Sequence, residues 1–131
     1  MNFTQSALGL AAKGFRVFPL FGISPFGCTC GNRECKSAGK HPIIGQWPSL
    51  ATSDPAQIRS WGEMFTQANV AILTGHEGLL VIDIDDPTCP LAGQLLPKLP
   101  ATLGVKSGRE GGLHRYYYAD PGLALSANAF G

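Results

Sequence analysis

Two aspartates, Asp83 and Asp85, lie near the end of the apolar run LLVIDIDD. If this run is a strand, its two-residue period places both carboxylates on one face, with Cα atoms roughly 6 to 7 Å apart. Paired acids in a partly desolvated site repel each other, and Mg²⁺ or Mn²⁺ relieves that repulsion and can bridge the acids to phosphates. The alternative is that Asp83 is solvated at a strand edge while Asp85 and Asp86 form a turn before Pro87.

The segment SGREGGLHRYYY could bind an anion. Ser107, Gly108 and the following glycines can bring backbone N–H groups close to a phosphate, and Arg109 can add a forked donor. His114 then begins the next predicted strand. The order of residues is not that of a P-loop. The alternative interpretation is a flexible hairpin tip followed by an aromatic core strand.

Three of the four cysteines fall within CTCGNREC, and a histidine follows closely. The spacing Cys28-x-Cys30-x4-Cys35-x5-His41 supplies thiols and an imidazole, the ligands that tetrahedral Zn²⁺ prefers. Cys89 is a possible substitute for the fourth ligand. A disulfide would need an oxidising compartment and pairs of very close neighbours. We therefore predict a closed, structural zinc site, with unliganded reduced thiols as the alternative.

Lys40 directly precedes His41 in this segment. A lysine beside a zinc-held loop could reach the phosphates of a nucleotide or a template. Many lysines in such loops are simply solvated, so this role stays open.

The composition indicates one ordinary domain. The chain has 131 residues and 44% hydrophobic content, enough for a single core. Ten basic residues against nine acidic ones exclude a global basic field, so any phosphate binding must be local. The sequence shows no signal peptide and no apolar run long enough to span a membrane, which predicts a cytoplasmic protein with reduced cysteines and no membrane partner.

Sequence patterns also predict the elements that must position these groups. Helices are predicted at Thr4 to Lys13, at SDPAQIRSWGEMF and at residues 90–99; in the second of these, Asp54 is a good N-cap. The predicted strands are FRVFPL, NVAILTG, GLLVIDIDD, ATLGVKSG and HRYYYAD. This alternation predicts a layered α/β or α+β domain.

Two strand pairings are suggested by short connections. NVAILTG and GLLVIDIDD are separated only by Gly75 to Gly78, as in a hairpin or a close neighbour pair, and GREGG joins the last two strands. Residues 22–45, in contrast, are rich in Gly, Pro, Ser and Cys and show no periodicity. A loop of that length needs something to hold it, and zinc would do so.

The order of these segments resembles the N-terminal domain of bifunctional DNA primase/polymerases. This is the prim-pol branch of the archaeo-eukaryotic primase superfamily, found in plasmids, phages and integrated elements. The resemblance covers essentially the whole chain, residues 1–131, and includes the zinc-binding insertion. It implies a two-layer α/β core with an RRM-like sheet. The implied activity is DNA replication chemistry, in which strands are started and extended from nucleoside triphosphates with divalent metal ions.

The resemblance also implies roles for individual residues. Asp83 and Asp85 would bind Mg²⁺ or Mn²⁺, and His114 would contact the phosphates of the incoming nucleotide. Ser107 and Arg109, with Gly108 between them, fall in the matching nucleotide-binding strand and loop. Such a site fits the chemistry, because phosphoryl transfer requires the protein mainly to position the reactants and to neutralise charge. The implied partners are a DNA template, nucleoside triphosphates and a helicase.

One departure from the family pattern concerns a third metal-site acid. The family carries it on a strand well downstream of the histidine, but here Asp120 lies in the turn signal ADPG. We therefore expect an N-terminal fragment that lacks the last catalytic strand or strands. Two other functions are considered: a catalytically silent domain that binds nucleotide or single-stranded DNA, and a structural zinc module that recruits a helicase.

Overall fold

The fold is a mixture of helices and small antiparallel sheets, which confirms the predicted α+β class. The computed structural model describes residues 1–108, 110–120 and 122–123. The helices in this part of the chain are α1 (Phe3–Ala11), α2 (Trp47–Leu50), α3 (Pro55–Met64) and α4 (Pro90–Leu95), the last continued by a 3₁₀ turn, Leu96–Lys98. The strands are β1 (Val17–Leu20), β2 (Ile23–Ser24), β3 (Gly27–Cys28), β4 (Asn69–Ile72), β5 (Leu79–Ile84), β6 (Gly104–Lys106) and β7 (Leu113–Tyr118).

The chain divides into two compact units, Met1–Leu73 and Thr74–Gly131. The larger of two core clusters in the first unit lies between α1, α3 and β1, and its buried residues are Phe3, Ala7, Val17, Ile58 and Trp61; the smaller cluster contains Phe18, Ala51 and Leu73. Helix α3 has the predicted start, whereas α1 begins one residue before the predicted Thr4 and ends at Ala11 instead of Lys13. Asn2 caps α1 in a reciprocal box with Gln5, and the Asp54 carboxylate accepts the first backbone N–H groups of α3.

Strand β1 is the organising strand of the first unit. It pairs antiparallel with β4, from Val17 opposite Ile72 to Leu20 opposite Asn69. On its other side the chain makes isolated bridges, Val17 with Thr52 and Leu20 with Pro42. The long segment after β1 therefore returns to that strand and is fixed there by backbone hydrogen bonds.

Residues 22–45 were predicted to lack periodic structure, and they contain one short hairpin. Strands β2 and β3 pair at Ile23 with Cys28 and at Ser24 with Gly27. The base of the hairpin is closed at Gly22, whose backbone approaches the Gln67 carbonyl so closely that any side chain would collide with it. Glycine is required there by this close approach.

The second unit contains a three-stranded sheet in the order β5, β7, β6. The predicted pairing of the last two strands is confirmed, with Val105 opposite His114. The predicted neighbour pairing of NVAILTG and GLLVIDIDD is wrong, because β4 pairs with β1 whereas β5 pairs with β7. A short connection permits a hairpin but does not compel it when each strand pairs with another strand elsewhere.

None of the helices in the described part of the chain is long and apolar enough to cross a membrane.

Candidate nucleotide site and metal centre

Asp83 and His114 lie opposite each other on neighbouring strands. The antiparallel register of β5 and β7 pairs these two residues, and the Asp83 Oδ1 to His114 Nε2 distance is 3.3 Å. The Asp83 side chain is 60% exposed and that of His114 is 34% exposed. Both groups are therefore open to a ligand from solvent while they hold each other in place.

The rest of this sheet face follows from the strand period. His114 is on the central strand, so it has Asp83 on one side and Val105 of β6 on the other. The next pair on the same face is Val81 with Tyr116. An acid and an imidazole are thus presented on an otherwise apolar and aromatic strip, the arrangement expected when polar groups have a task beyond packing.

Asp85 lies one residue beyond β5 and is exposed. Between the two acids, Ile84 is buried, which anchors the strand end. Asp86 has a different environment: its Oδ1 accepts the Thr88 hydroxyl at 2.6 Å and the Thr88 backbone N–H at 2.8 Å. These bonds to Thr88 lower the pKa of the Asp86 carboxyl below its usual value. Asp86 is therefore a turn residue, as the alternative interpretation of this segment proposed.

The predicted anion-binding loop closes as the connection between β6 and β7. The Ser107 backbone N–H donates to the Gly112 carbonyl at 2.9 Å, and Gly111 has a left-handed φ of 78°. A side chain at Gly111 would approach Pro87 Cγ to 3.1 Å. The loop consequently lies against the turn that follows Asp85. Gly108 is exposed, and Arg109 lies outside the described residues.

Four predicted metal ligands converge in the first unit. Their donor atoms all lie within 4.8 Å of one another, and they belong to Cys28, Cys30, Cys35 and His41. The His41 Nε2 is 3.4 Å from the sulfur atoms of both Cys28 and Cys35. The sequence left His41 and Cys89 as alternative fourth ligands, and the group that forms contains His41. Cys89 is exposed and belongs to the second unit, where it precedes α4.

The electrostatics of the thiols suit a cation. Backbone N–H groups of Cys30 and Gly39 lower the pKa of the Cys28 thiol from 9.0 to about 6, against the opposing effect of burial. The Ser37 backbone N–H lowers the pKa of Cys35, but desolvation and the neighbouring thiols of Cys28 and Cys30 outweigh it, so this pKa is raised. The lowered pKa favours the thiolate form of Cys28 at neutral pH. Ionisation of Cys35 is opposed by its neighbouring thiols, and a bound cation would relieve that opposition.

The surroundings of His41 include contacts that sequence reasoning missed. The Phe21 backbone N–H donates to the His41 carbonyl at 2.9 Å, and the two rings lie 4.6 Å apart. The Asn69 side-chain amide donates to the Gly39 carbonyl at 3.0 Å. A sequence signal existed for Phe21, which directly follows the predicted FRVFPL strand, but nothing in the sequence connects Asn69 with the loop. Lys40 is exposed between these fixed positions.

The fold and these two groups define an α+β protein with an acid–histidine pair on a small sheet and a Cys₃His cluster that could hold zinc. The chain belongs to the bifunctional DNA primase/polymerase N-terminal family, Prim-Pol, whose family model matches residues 7–130. This confirms the resemblance seen in the sequence. The family indicates a primase/polymerase type of function, with binding of DNA and nucleotides. Comparison with curated proteins and with solved structures gives no match for this chain.

Proposed function

We propose that the chain is a nucleotidyltransferase domain of a DNA primase/polymerase, which extends a strand on a template from nucleoside triphosphates. The observation that carries this proposal is the exposed pair of Asp83 and His114, joined at 3.3 Å on the β5–β7 sheet. A carboxylate for a divalent cation and an imidazole for a phosphate are then side by side, as transfer of a nucleotidyl group requires.

In this proposal Asp83 and Asp85 hold Mg²⁺ or Mn²⁺, because hard carboxylate oxygens are the ligands that these ions prefer. When bound, the metal ions supply activation of the attacking 3′-hydroxyl and neutralisation of the leaving pyrophosphate. His114 donates to the phosphates of the incoming nucleotide, and the Ser107–Gly112 connection, including Gly108 and Arg109, lines the same phosphates. The contact of Gly111 with Pro87 supports this role, because it brings the connection next to the acids' turn.

The Cys₃His cluster is proposed as a structural zinc site. Four protein ligands would close the coordination sphere, so no position remains for a reacting water or substrate. Zinc would order the segment that carries Lys40, which is proposed to reach nucleotide or template phosphates. A helicase acting on the same DNA, in replication of a mobile element, remains part of the proposal.

The hydrogen bonds of Asp120 favour a second function, which is binding without catalysis. The Asp120 Oδ1 accepts the Gly122 backbone N–H at 2.9 Å and its carbonyl accepts the Leu123 N–H, so this carboxylate is committed to a turn. If this commitment leaves Asp83 and Asp85 without a third metal-binding acid, the alternative is a domain that binds nucleotide or single-stranded DNA without catalysis.

Primer extension with Mg²⁺ or Mn²⁺, combined with titration of labelled deoxynucleoside triphosphate, tests the proposal. The double variant Asp83→Asn/Asp85→Asn is expected to lose extension and metal-dependent nucleotide binding. The control is Asp120→Asn, which keeps a turn acceptor and makes the same Asp-to-Asn change at one position outside the proposed metal site. Nucleotide binding without extension by the wild-type chain supports the binding function instead. Equal extension by all three proteins overturns the proposed metal site.

A further inference from the structure

The tip of the β2–β3 hairpin presents an aromatic ring that the fold does not use. Phe26 is 96% exposed, whereas Phe3 and Phe18, in the same unit, are buried. We propose that Phe26 is a stacking residue for an unpaired base of single-stranded nucleic acid. This inference rests on the proposed template-directed function, and it adds a recognition surface that the acid–histidine site does not contain.

The ring is mounted on a rigid support. Pro25 and Phe26 form a two-residue connection, and the Ser24 hydroxyl spans it by accepting the Phe26 N–H at 3.2 Å and donating to the Gly27 carbonyl at 3.1 Å. Gly27 has a φ of 109°, which favours glycine. These bonds fix the backbone that carries the ring, so a base that stacks on it orders little more than the phenylalanine side chain itself.

The base of the hairpin is tied to the metal cluster. Strand β3 ends at Cys28, one of the four candidate ligands. The next residue, Thr29, is hydrogen-bonded to Gly22 through both its backbone and its side chain: the Thr29 backbone N–H donates to the Gly22 carbonyl at 3.0 Å, and the Gly22 N–H donates to Thr29 Oγ1 at 2.8 Å. Filling of the metal site would therefore stiffen the support of the Phe26 ring.

Charge on this unit complements a nucleic-acid backbone. Met1–Leu73 contains six basic and three acidic residues, whereas the second unit contains four basic and six acidic ones. Three of the six cations are exposed in the cysteine-rich segment itself, namely Arg33, Lys36 and Lys40. Aromatic side chains combined with a positively charged track are the usual means of binding single strands without sequence preference.

A surface cleft adjoins the hairpin. Its volume is about 340 Å³, and Ile23, Ser24 and Pro25 form one wall, opposite the start of α1 and residues 66–68. A nucleotide next to the one stacked on Phe26 would have space there. The competing occupant of an exposed aromatic tip is another protein, either a second copy or a helicase, but such a partner would not require the exposed cations of the cysteine-rich segment.

Fluorescence anisotropy with a labelled oligothymidine of about 20 nucleotides, without nucleotide or Mg²⁺, tests this inference on the full chain. Phe26→Ala is expected to weaken binding about tenfold or more. Phe26→Trp should retain the affinity and show quenched tryptophan emission on the oligonucleotide. Met64→Ala, which removes another exposed apolar side chain of the same unit, is the matched control.

Salt dependence separates stacking from charge. Lys36→Ala/Lys40→Ala should reduce the slope of affinity against salt, and Phe26→Ala should leave that slope unchanged. The inference is overturned if wild type does not bind the oligonucleotide, or if Phe26→Ala binds it as well as Met64→Ala does. It is also overturned if Phe26→Ala changes only the oligomeric state. None of these results depends on primer extension, so failure here is distinguishable from failure of the proposed catalytic function.

Discussion

The His114 imidazole and the Asp83 carboxylate are cross-strand partners, with 3.3 Å between Nε2 and Oδ1. Register alone brings them together, because residues directly opposite in an antiparallel pair place their side chains on the same face. A carboxylate, which suits a cation, and an imidazole, which suits an anion, thereby occupy adjacent positions. The Asp83 carboxylate and the His114 imidazole can each give up their mutual contact and bind a ligand instead.

His114→Gln is expected to reduce the affinity for a Mg²⁺–deoxynucleoside triphosphate by roughly tenfold or more, because a hydrogen bond to a charged phosphate is worth about 1.5 to 3 kcal/mol. Titration with a fluorescent nucleotide measures this change. Tyr118→Phe, at the exposed end of the same strand, serves as the control. Unaltered nucleotide affinity in His114→Gln would remove the histidine from the phosphate site.

Zinc bound by the Cys₃His cluster should depend on Cys30 and not on Cys89. Purification without chelator followed by elemental analysis is expected to give one equivalent of zinc for wild type and Cys89→Ser, and much less for Cys30→Ser. Cys30→Ser should also lower the midpoint of thermal unfolding, because metal binding free energy contributes to folding. Zinc-free wild-type protein with the same midpoint would contradict a structural metal.

The metal-free chain should show an unusual thiol titration at Cys28. Because folding lowers this pKa from 9.0 to about 6, the associated stabilisation is complete above pH 9 and is lost as the pH falls through 6. The alkylation rate of Cys28 by iodoacetamide should therefore be level above pH 7 and fall through pH 6. Site-resolved mass spectrometry measures it, and a rate still rising between pH 7 and 9 would refute the lowered pKa.

Gly62→Ala is expected to destabilise the first unit by about 1 to 3 kcal/mol. A Cβ atom at Gly62 would collide with the Thr4 hydroxyl, at the contact between α3 and α1. Gly9→Ala is the control, because that helical position has open space around it and should gain up to about 1 kcal/mol. Urea unfolding measures both, and Thr4→Ala should partly rescue Gly62→Ala. Equal midpoints for the two glycine variants would show that the helices can separate without cost.

The sequence predicted those elements whose signals are local. The α3 helix begins at Pro55, directly after its capping residue Asp54, and β6 pairs with β7 across a glycine-rich connection. The β4–β5 pairing was wrong because strand partners are chosen by contacts distant in sequence, here β1 and β7. No local rule could have selected them.

The candidate site likewise combines features that local sequence signals predict with features that only the fold determines. Ligand types and spacing predicted the Cys₃His cluster, but the choice of His41 over Cys89 required the fold, which brings the His41 Nε2 within 3.4 Å of two of the sulfur atoms. Asp83 and His114 were each predicted as chemically active residues. Their direct pairing was not, because it requires the register between β5 and β7. The exposure of the Phe26 ring could not be predicted, because the residue type alone does not determine whether a phenylalanine in a loop is buried or exposed.

The hydrogen bond from Phe21 to His41 closes the cysteine-rich segment at its base. The residues between Phe21 and His41 form a loop whose two ends are joined by this hydrogen bond. Replacing or lengthening the loop should therefore leave the path of β1 unchanged and cost little loop-closure entropy. The segment is therefore modular. A different tip could be carried at this position without a change in β1 or in the sheet of β5, β6 and β7.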